Sequence, residues 1–316
     1  MKLLVTRLMT DRATQAIRDR FDVTFNDDDT PLGPAEAAQA LADYDAIMPT
    51  LGDAFPAEAF RDKPRCRVIA NFGAGFNHID VKAAAAAGVV VTNTPDVVTD
   101  ATADIAMTLI LMTMRRASEG ERILRRGEWT GWKPTQFLGA QVTGRTLGVI
   151  GMGRIGRAIA RRCHWGFGMG VVFFNRSPVT DLDFPARQIP DLNGMLQQAD
   201  VAVVAVPGGA GTRHLIGAQQ MAALGPEGYL VNIARGDVVD EAALIDALTS
   251  RRIAGAGLDV YEREPFVPQA LLDAPNATLL PHLGTATDDV RTDMGLRALS
   301  NLIAFAEGRL PRDQVN

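Results

Sequence analysis

The feature that most constrains the fold is the segment TLGVIGMGRIGRAIARRC, residues 146–163. An apolar run leads into Gly151, Gly153 and Gly156, in G-x-G-x-x-G spacing, and a helix-like stretch follows. In this context the first glycine permits a tight turn, the second lets the backbone approach a pyrophosphate, and the third lets helix and strand pack closely. The helix N-terminus would offer free N–H groups to the phosphates. The segment therefore predicts the strand–turn–helix unit of a dinucleotide-binding domain.

Short apolar runs alternate with helix-like segments along nearly the whole chain, which predicts βαβ units and parallel sheets, that is, an α/β fold. In the first part the strands are predicted at 2–6, 22–25, 45–49, 67–71 and 89–93, and the helices at 11–20, 34–44 and 80–88. In the second part the strands are predicted at 146–150, 171–174, 201–206, 229–233, 253–259 and 277–280, with a closing helix at 288–308. We expect two sequential Rossmann-like halves, over about 1–98 and 99–284.

Residues 99–129 read as one long helix between the two halves. Its first part is apolar nearly all round, which is typical of a buried helix. Its second part is rich in arginine and is expected to be solvated. No apolar stretch is as long as a membrane span requires.

Composition limits the classes of function. The 316 residues are 47% hydrophobic and 22% charged, as in an ordinary globular protein of two domains, and the net charge of −5 with no basic run argues against a nucleic-acid partner. The two cysteines, Cys66 and Cys163, have no paired spacing, so neither a disulfide framework nor a metal site is predicted. With no signal segment recognised, we expect a cytoplasmic protein without membrane partners.

The position about 20 residues after the glycine motif selects between cofactors in such domains. An acid there would accept from the ribose 2′-hydroxyl, but this chain has Asn175, followed by Arg176 and Ser177. Arg176 can pair with a 2′-phosphate and Ser177 can donate a hydrogen bond to it. The pattern favours NADP(H), with NAD(H) still possible. The alternative is that Asn175 is a strand-end turn residue and Arg176 points to solvent.

Three further segments follow predicted strands, and they bring Arg235, Glu264 and His282 to one edge of the sheet. This trio suits reduction of a carbonyl beside a carboxylate. Arg235 would bind the carboxylate and polarise the carbonyl, His282 would give a proton to the developing alkoxide, and Glu264 would orient the imidazolium. The alternative for each residue alone is an ordinary structural role. Of the four histidines, only His282 follows a strand and is framed by Pro281 and Gly284.

Several motifs in the same order resemble those of the D-isomer-specific 2-hydroxyacid dehydrogenases over essentially the whole chain. They are NFGAGFNHID (71–80), VVTDATADIAM (97–107), GMGRIG (151–156), NIARGDVVDEAAL (232–244), GLDVYEREP (257–265) and LLPHLGTAT (279–287). The resemblance implies a flavodoxin-like substrate domain, 1–98 plus 285–316, and a dinucleotide-binding domain, 99–284. It also implies a homodimer, with the apolar helix from 102 to 114 as a candidate contact.

The resemblance assigns roles to particular residues. It gives Arg235, Glu264 and His282 as the catalytic set, and Ala74 and Gly75 as backbone donors to the substrate, with Leu51 near the substrate pocket. It places Trp132 in a segment that reaches a neighbouring subunit's active site in similar enzymes, although a simple interface or core role is equally open. Besides the glycines and 175–177, the implied cofactor residues are Thr102, Arg154, Ile155, Pro207, Thr212, Ile233, Ala234, Arg235, Asp259, His282 and Gly284.

Within the family, TDATAD, GWKPTQFLG, FFNRS and PHLGTAT resemble the glyoxylate/hydroxypyruvate reductases. The expected reaction is NAD(P)H-dependent reduction of a small 2-oxoacid to the 2-hydroxyacid. A D-lactate-type enzyme and a reductase of bulkier 2-oxoacids remain alternatives. A different class, a dinucleotide-sensing corepressor, also shares this fold. Turnover with 2-oxoacids separates it from the enzymes.

Overall fold

A computed structural model describes residues 1–316. The chain divides into two compact units, one of residues 1–98 with 285–316 and one of residues 99–284. Each unit contains one sheet of parallel strands flanked by helices. The predicted α/β class with two parallel sheets is therefore confirmed. No helix combines the length and the apolar character needed to cross a membrane.

Strands and helices alternate along both units. The strands are β1 Lys2–Val5, β2 Asp22–Phe25, β3 Ala46–Met48, β4 Val68–Ala70, β5 Val90–Thr92, β6 Thr146–Ile150, β7 Gly170–Phe174, β8 Arg187–Gln188, β9 Val201–Val204, β10 Tyr229–Asn232, β11 Gly255–Leu258 and β12 Ala277–Leu279. The helices are α1 Asp11–Arg18, α2 Pro34–Asp43, α3 Val81–Ala86, α4 Thr99–Met114, α5 Ala117–Arg125, α6 Arg154–Phe167, α7 Leu192–Leu196, α8 Ala218–Leu224, α9 Glu241–Thr249, α10 Gln269–Leu272 and α11 Asp288–Ala306.

The sheet of the first unit has the order β2-β1-β3-β4-β5. This is the flavodoxin-like order, in which the chain changes direction between the first and third strands. The inner strands β1, β3 and β4 are largely buried on both faces, as their apolar residues require, whereas the edge strand β2 is partly exposed. The closing helix α11 packs on α1 and β4 of this unit. Gly295 permits that approach, because a Cβ there would lie 2.8 Å from the Cβ of Ala13.

A buried ion pair fastens the C-terminal tail to α11. Asp313 is 8% exposed and accepts hydrogen bonds from Arg297 Nε at 2.5 Å, Arg297 Nη2 at 2.8 Å and Asn301 Nδ2 at 3.0 Å. The Asp313 carbonyl accepts from Asn93 N, and Val315 N donates to the Val91 carbonyl, so the tail runs beside β5. Burial raises the pKa of Asp313, but the bonds and charge from Arg297 and Asn301 outweigh it and leave the pKa below its usual value.

Asp313→Asn should lower the free energy of unfolding at pH 7 by about 2 kcal/mol, because it leaves the partly buried guanidinium of Arg297 without its anion. The carboxylate contributes fully above its unfolded pKa of about 4, and its contribution is lost as the pH falls through the lower folded value. Urea denaturation at pH 7 and below pH 4 measures both effects. A difference between wild type and variant that is absent at pH 7, or that grows on acidification, would contradict this role for Asp313.

The second unit has a seven-stranded sheet in the order β12-β11-β10-β9-β6-β7-β8. The chain enters at β6, runs outward to β8 and then resumes at β9 on the other side of β6. Since all the pairs are parallel, the carboxyl ends of the strands share one edge. The change of direction lies between β6 and β9, where open α/β sheets bind their ligands.

The single helix predicted over residues 99–129 is wrong, because the chain forms α4 and α5 with a break between them. Arg116 adopts a left-handed conformation with φ of 52°, and its guanidinium binds both carboxylate oxygens of Glu119 at 2.7 and 2.8 Å. Ala140 N donates to the Met114 carbonyl at 2.8 Å, so a residue outside the helix satisfies the last carbonyl of α4. This long-range contact has no local signature in the sequence.

Helix α4 is buried inside the second unit, where it packs on α6, β10, β11 and β12. Leu109, Ile110 and Met114 are fully buried. These side chains are therefore committed to the core of their own unit, and the helix expected to form a subunit contact has few apolar side chains left for one. Large apolar side chains are exposed instead in the following segment, at Leu124, Trp129, Trp132 and Leu138.

Candidate active site

Arg235, Glu264 and His282 lie in the segments that follow β10, β11 and β12, which are neighbours in the sheet. The glycine turn follows β6 and the segment Asn175–Ser177 follows β7, on the other side of the change of direction. The predicted catalytic residues and the predicted cofactor-selecting residues therefore occupy different parts of one sheet edge, with the glycine turn between them.

The side chains of His282 and Glu264 are paired. His282 Nδ1 lies 2.7 Å from Glu264 Oε2, and the Tyr261 amide donates to Glu264 Oε1 at 3.0 Å. Burial raises the pKa of Glu264, but the hydrogen bond and charge of His282, the Tyr261 amide and the charge of Arg235 together lower it below its usual value. Glu264 is therefore ionised at neutral pH. Its carboxylate holds Nδ1 of the ring, and Nε2 is left without a partner in the protein.

The backbone of His282 is held in an unusual conformation. Its φ is 55°, in the left-handed region that a histidine seldom occupies. Asp259 fixes the loop: Leu283 N donates to Oδ1 at 2.6 Å, Gly284 N to Oδ2 at 2.8 Å, and His282 N to the Asp259 carbonyl at 2.9 Å. Burial raises the pKa of Asp259, whereas the amides and His282 counteract the rise. Asp259 therefore positions the loop that carries His282. Its contact with a cofactor remains a prediction.

The guanidinium of Arg235 has N–H groups available to bind an anion. Its Nη1 donates to the Ala234 carbonyl at 2.6 Å, whereas its Nε is buried and has no hydrogen-bond partner. Burial lowers the pKa of the guanidinium, and the charges of Glu264 and Asp237 work against this decrease. An arginine remains a cation under these conditions. A buried N–H of a cation without an acceptor is costly, so this site fits a carboxylate.

Asn232, which no sequence motif marks as functional, shapes the loop that carries Arg235. Its side chain is buried, accepts from Ala234 N at 3.0 Å and donates to the Arg235 carbonyl at 2.9 Å. Gly236 then lets the loop touch the acid segment, because a Cβ there would lie 1.8 Å from the Tyr261 carbonyl carbon. A polar residue at the end of an otherwise apolar strand was the available signal for Asn232.

The glycine turn fits a dinucleotide. Gly151 has φ of 98°, and a Cβ there would lie 2.8 Å from the Ala205 carbonyl oxygen. A Cβ at Gly156 would lie 2.1 Å from the Gly151 carbonyl oxygen, so the close packing of α6 on the turn requires glycine. Gly153 precedes α6, and a Cβ there would enter open space. This open approach to a helix N-terminus is what a pyrophosphate requires.

The segment Asn175–Ser177 exposes the guanidinium of Arg176 to solvent. Arg176 and Ser177 are exposed, and the Arg176 side chain forms no ion pair or hydrogen bond in the protein. The side chain of Asn175 is engaged: its Oδ1 accepts from Met152 N at 3.2 Å, and its Nδ2 donates to the Ser177 carbonyl at 2.9 Å. Asn175 thus joins the segment to the glycine turn, which is a structural role beyond the absence of a negative charge at this position.

The remaining predicted cofactor residues all lie in the second unit. Thr102 Oγ1 donates to the Gly284 carbonyl at 3.2 Å, and Thr212 Oγ1 donates to the Pro207 carbonyl at 2.7 Å. These bonds join α4 to the histidine loop and close the turn after β9. Four others lie in the first turn of α6 or in the loop after β10, namely Arg154, Ile155, Ile233 and Ala234. Their contacts with a dinucleotide remain predictions.

The first unit carries the predicted substrate-binding loop. Asn71 Nδ2 donates to the Gly73 and Gly75 carbonyls at 2.9 and 3.0 Å, and Asn93 Nδ2 donates to the Ala74 carbonyl at 2.8 Å. With its carbonyls held, the loop leaves the Ala74 and Gly75 amides without an acceptor in the protein. Successive free amides form an anion-binding concavity, which suits a carboxylate.

Two other predicted substrate residues are exposed. Leu51 is 44% exposed, at a turn whose Thr50 amide donates to the buried carboxylate of Asp53 at 2.8 Å. Trp132 is 80% exposed and forms no contact that fixes its side chain within the second unit. Its contribution to the active site of a neighbouring subunit stays a prediction.

Neither cysteine belongs to the site. Cys66 and Cys163 are free and buried, and burial raises the pKa of each thiol to about 12. A thiol with so high a pKa is not a nucleophile at neutral pH. The two thiols are therefore not candidates for the chemistry of this site.

A parallel sheet with a dinucleotide turn and an Arg–Glu–His set at its carboxyl edge defines a nicotinamide-dependent oxidoreductase. The sequence profile of the D-isomer specific 2-hydroxyacid dehydrogenase, NAD binding domain, matches residues 107–284. A glyoxylate reductase of Thermococcus onnurineus is 40% identical over 100% of this chain and 96% of its own. The chain belongs to the D-isomer-specific 2-hydroxyacid dehydrogenase family, and it is an oxidoreductase that reduces a 2-oxoacid with a nicotinamide dinucleotide.

Solved structures agree in fold. A D-isomer specific 2-hydroxyacid dehydrogenase from a Polaromonas species has a TM-score of 0.92 at 36% identity, covering 100% of this chain and 99% of its own. An NADPH-dependent glyoxylate/hydroxypyruvate reductase from Sinorhizobium meliloti, in complex with NADP and malonate, has a TM-score of 0.88 at 38% identity, covering 99% and 96%. These similarities extend over both units of the chain.

Proposed function

We propose that this protein is an NADPH-preferring reductase of short 2-oxoacids, with glyoxylate or hydroxypyruvate as substrate. The observation that carries the proposal is the buried, unpartnered Nε of Arg235 in the same group of strand ends as the His282–Glu264 pair. A guanidinium donor without an acceptor selects a carboxylate, and a histidine paired with a glutamate supplies a proton. Relatives named glyoxylate reductase support the choice of substrate.

In the proposed reaction the bound dinucleotide would supply the hydride. Arg235 binds the substrate carboxylate and draws electron density from the neighbouring carbonyl, which stabilises the negative charge that develops on its oxygen. His282 gives its Nε2 proton to that oxygen. Glu264, bound to Nδ1, keeps the ring oriented and compensates its charge before the transfer.

The preference for NADPH rests on the Asn175–Ser177 segment. An acid would repel a 2′-phosphate, whereas this segment offers an exposed, unpaired Arg176 and a hydroxyl at Ser177. The Sinorhizobium meliloti enzyme is described as NADPH-dependent. Both observations support NADPH as the preferred cofactor of this chain, with NADH used less well.

A steady-state matrix tests the proposal: NADPH and NADH, each with glyoxylate, hydroxypyruvate, pyruvate and a branched 2-oxoacid. The highest kcat/KM is expected for NADPH with glyoxylate or hydroxypyruvate. If pyruvate or a branched 2-oxoacid gave the highest kcat/KM, the proposed substrate would be wrong. Failure of every 2-oxoacid would contradict the enzyme and favour a dinucleotide-sensing protein.

Asn175→Asp should shift the NADPH/NADH ratio of kcat/KM toward NADH by tenfold or more, which is about 1.4 kcal/mol of differential binding. The aspartate keeps the acceptor that Met152 N uses but adds a charge that repels a 2′-phosphate. Asn175→Ser is the matched control, because it removes the amide without adding a charge. An unchanged ratio in the aspartate variant would remove this position from cofactor selection.

A homodimer is part of the proposal. The exposed apolar side chains Leu124, Trp129, Trp132 and Leu138 all lie between residues 124 and 138. Such a concentration of apolar surface is typical of a protein interface. Sedimentation equilibrium should give about twice the chain mass, and Trp132→Ala with Leu138→Ala should weaken the association. A wild-type protein that stays monomeric at micromolar concentration would contradict this part.

A further inference from the structure

We infer that Gln188 sets the strength of the cofactor preference by holding the Asn175–Ser177 segment in the conformation that receives a 2′-phosphate. This inference rests on the proposed NADPH preference and adds a residue that touches no cofactor. Gln188 lies on β8, the strand at the edge of the sheet next to β7.

The side-chain amide of Gln188 makes three hydrogen bonds, all with the backbone of the turn after β7. Its Nε2 donates to the Asn175 and Ser177 carbonyls, each at 3.1 Å, and its Oε1 accepts from Val179 N at 3.0 Å. One side chain therefore fixes the backbone immediately before and after Arg176. Both halves of the amide are required, because the turn presents two acceptors and one donor.

The turn has few other restraints. Its side chains from Arg176 to Pro178 are exposed and contribute no core packing. Asn175 Nδ2 donates to the same Ser177 carbonyl, and Arg157 binds further along the turn, at the Thr180 and Asp181 carbonyls. Gln188 is thus the only side chain whose bonds span residues 175 to 179.

The consequence is preorganisation of a charged site. A phosphate recognised by a flexible arginine loses affinity to the ordering of the loop, and a turn already held in place does not incur that cost. The pyrophosphate of a dinucleotide would bind at the glycine turn, to which Gln188 makes none of its three hydrogen bonds. Loss of Gln188 should therefore weaken recognition of the 2′-phosphate far more than recognition of the rest of the nucleotide.

The test measures the binding of two small probes, 2′,5′-ADP and 5′-AMP, to the full-length protein by calorimetry. Gln188→Met keeps the length of the side chain and removes all three bonds, and it should lower the affinity for 2′,5′-ADP about tenfold and that for 5′-AMP less than twofold. Gln188→Glu keeps the acceptor for Val179 N but loses both donations. It should therefore lower the affinity for 2′,5′-ADP at least as much as Gln188→Met does. The matched control is Gln198→Met, which removes an exposed glutamine bonded to Gly194 and Arg187.

Arg176→Ala separates this inference from the proposed function. If Arg176→Ala weakens 2′,5′-ADP but both Gln188 variants bind it as the wild type does, the NADPH preference stands and the role of Gln188 is refuted. If the wild-type protein binds 2′,5′-ADP no better than 5′-AMP, the NADPH preference itself fails and the inference fails with it. An equal loss for both probes in the Gln188 variants would show general damage to the domain and would also overturn the inference.

Discussion

Replacing His282 by alanine is expected to lower kcat for 2-oxoacid reduction at least about a hundredfold, because the developing alkoxide loses its proton donor. The ring is suited to this role by geometry: Nδ1 is committed to Glu264 at 2.7 Å, and Nε2 has no partner in the protein. KM should change much less, since binding of the carboxylate belongs to Arg235. Stopped-flow measurement of a single turnover with NADPH and glyoxylate reports the chemical step directly.

The control for His282→Ala is Glu264→Gln, which keeps the shape of the partner and removes its charge. Glu264 has a pKa below its usual value, so in the wild type it stays ionised throughout the neutral range. Without that charge the ring loses the anion that holds Nδ1, so kcat should fall while KM for glyoxylate changes little. A His282→Ala enzyme within fivefold of the wild type, with the same pH profile, would exclude His282 as the donor.

Replacing Arg235 by alanine is expected to lower kcat/KM by about a thousandfold, with KM raised and kcat reduced together. The guanidinium would bind the carboxylate in the ground state and also stabilise the charge on the carbonyl oxygen in the transition state. Arg235 Nε is buried and without a partner, so its bond to substrate would be made away from bulk water, where a charge-assisted bond is strong. Initial-rate measurements over a range of glyoxylate concentrations separate the two constants.

Arg235→Lys is the informative control, because it keeps the charge but loses the planar pair of donors. If bidentate geometry matters, the lysine variant should recover only part of the lost kcat/KM. Added guanidine should restore activity to the alanine variant and should have no such effect on the lysine variant. An Arg235→Ala enzyme with kcat/KM close to that of the wild type would remove Arg235 from the site.

Much of this fold could be predicted from local sequence. Each apolar strand and the glycine turn depend on residues that are neighbours in the sequence, so local patterns predict them. Strand β2, for example, forms over the predicted residues 22–25. The break after α4 could not be predicted, because it depends on Ala140 N binding the Met114 carbonyl from 26 positions further along the chain. Strand β8 has only two residues, too few for a periodic pattern.

The candidate site divides in the same way. Arg235, Glu264 and His282 were identified because each follows a predicted strand, and the parallel sheet brings neighbouring strand ends together. Asn232 and Gln188 act through backbone bonds to their loops, and such bonds leave no periodic or spaced pattern in the sequence. The positioning role of Asp259 depends on its carboxylate, which accepts the Leu283 and Gly284 amides, and these bonds have no signature in the sequence.

The most direct test compares glycolate formation from glyoxylate and NADPH by the wild-type protein with that by the double variant Arg235→Ala, His282→Ala. The wild type should form one glycolate for each NADPH consumed, and the double variant should be indistinguishable from buffer. A wild-type protein that forms no glycolate would contradict the proposed reaction. A double variant that retains the wild-type rate would show that the reaction takes place elsewhere on the chain.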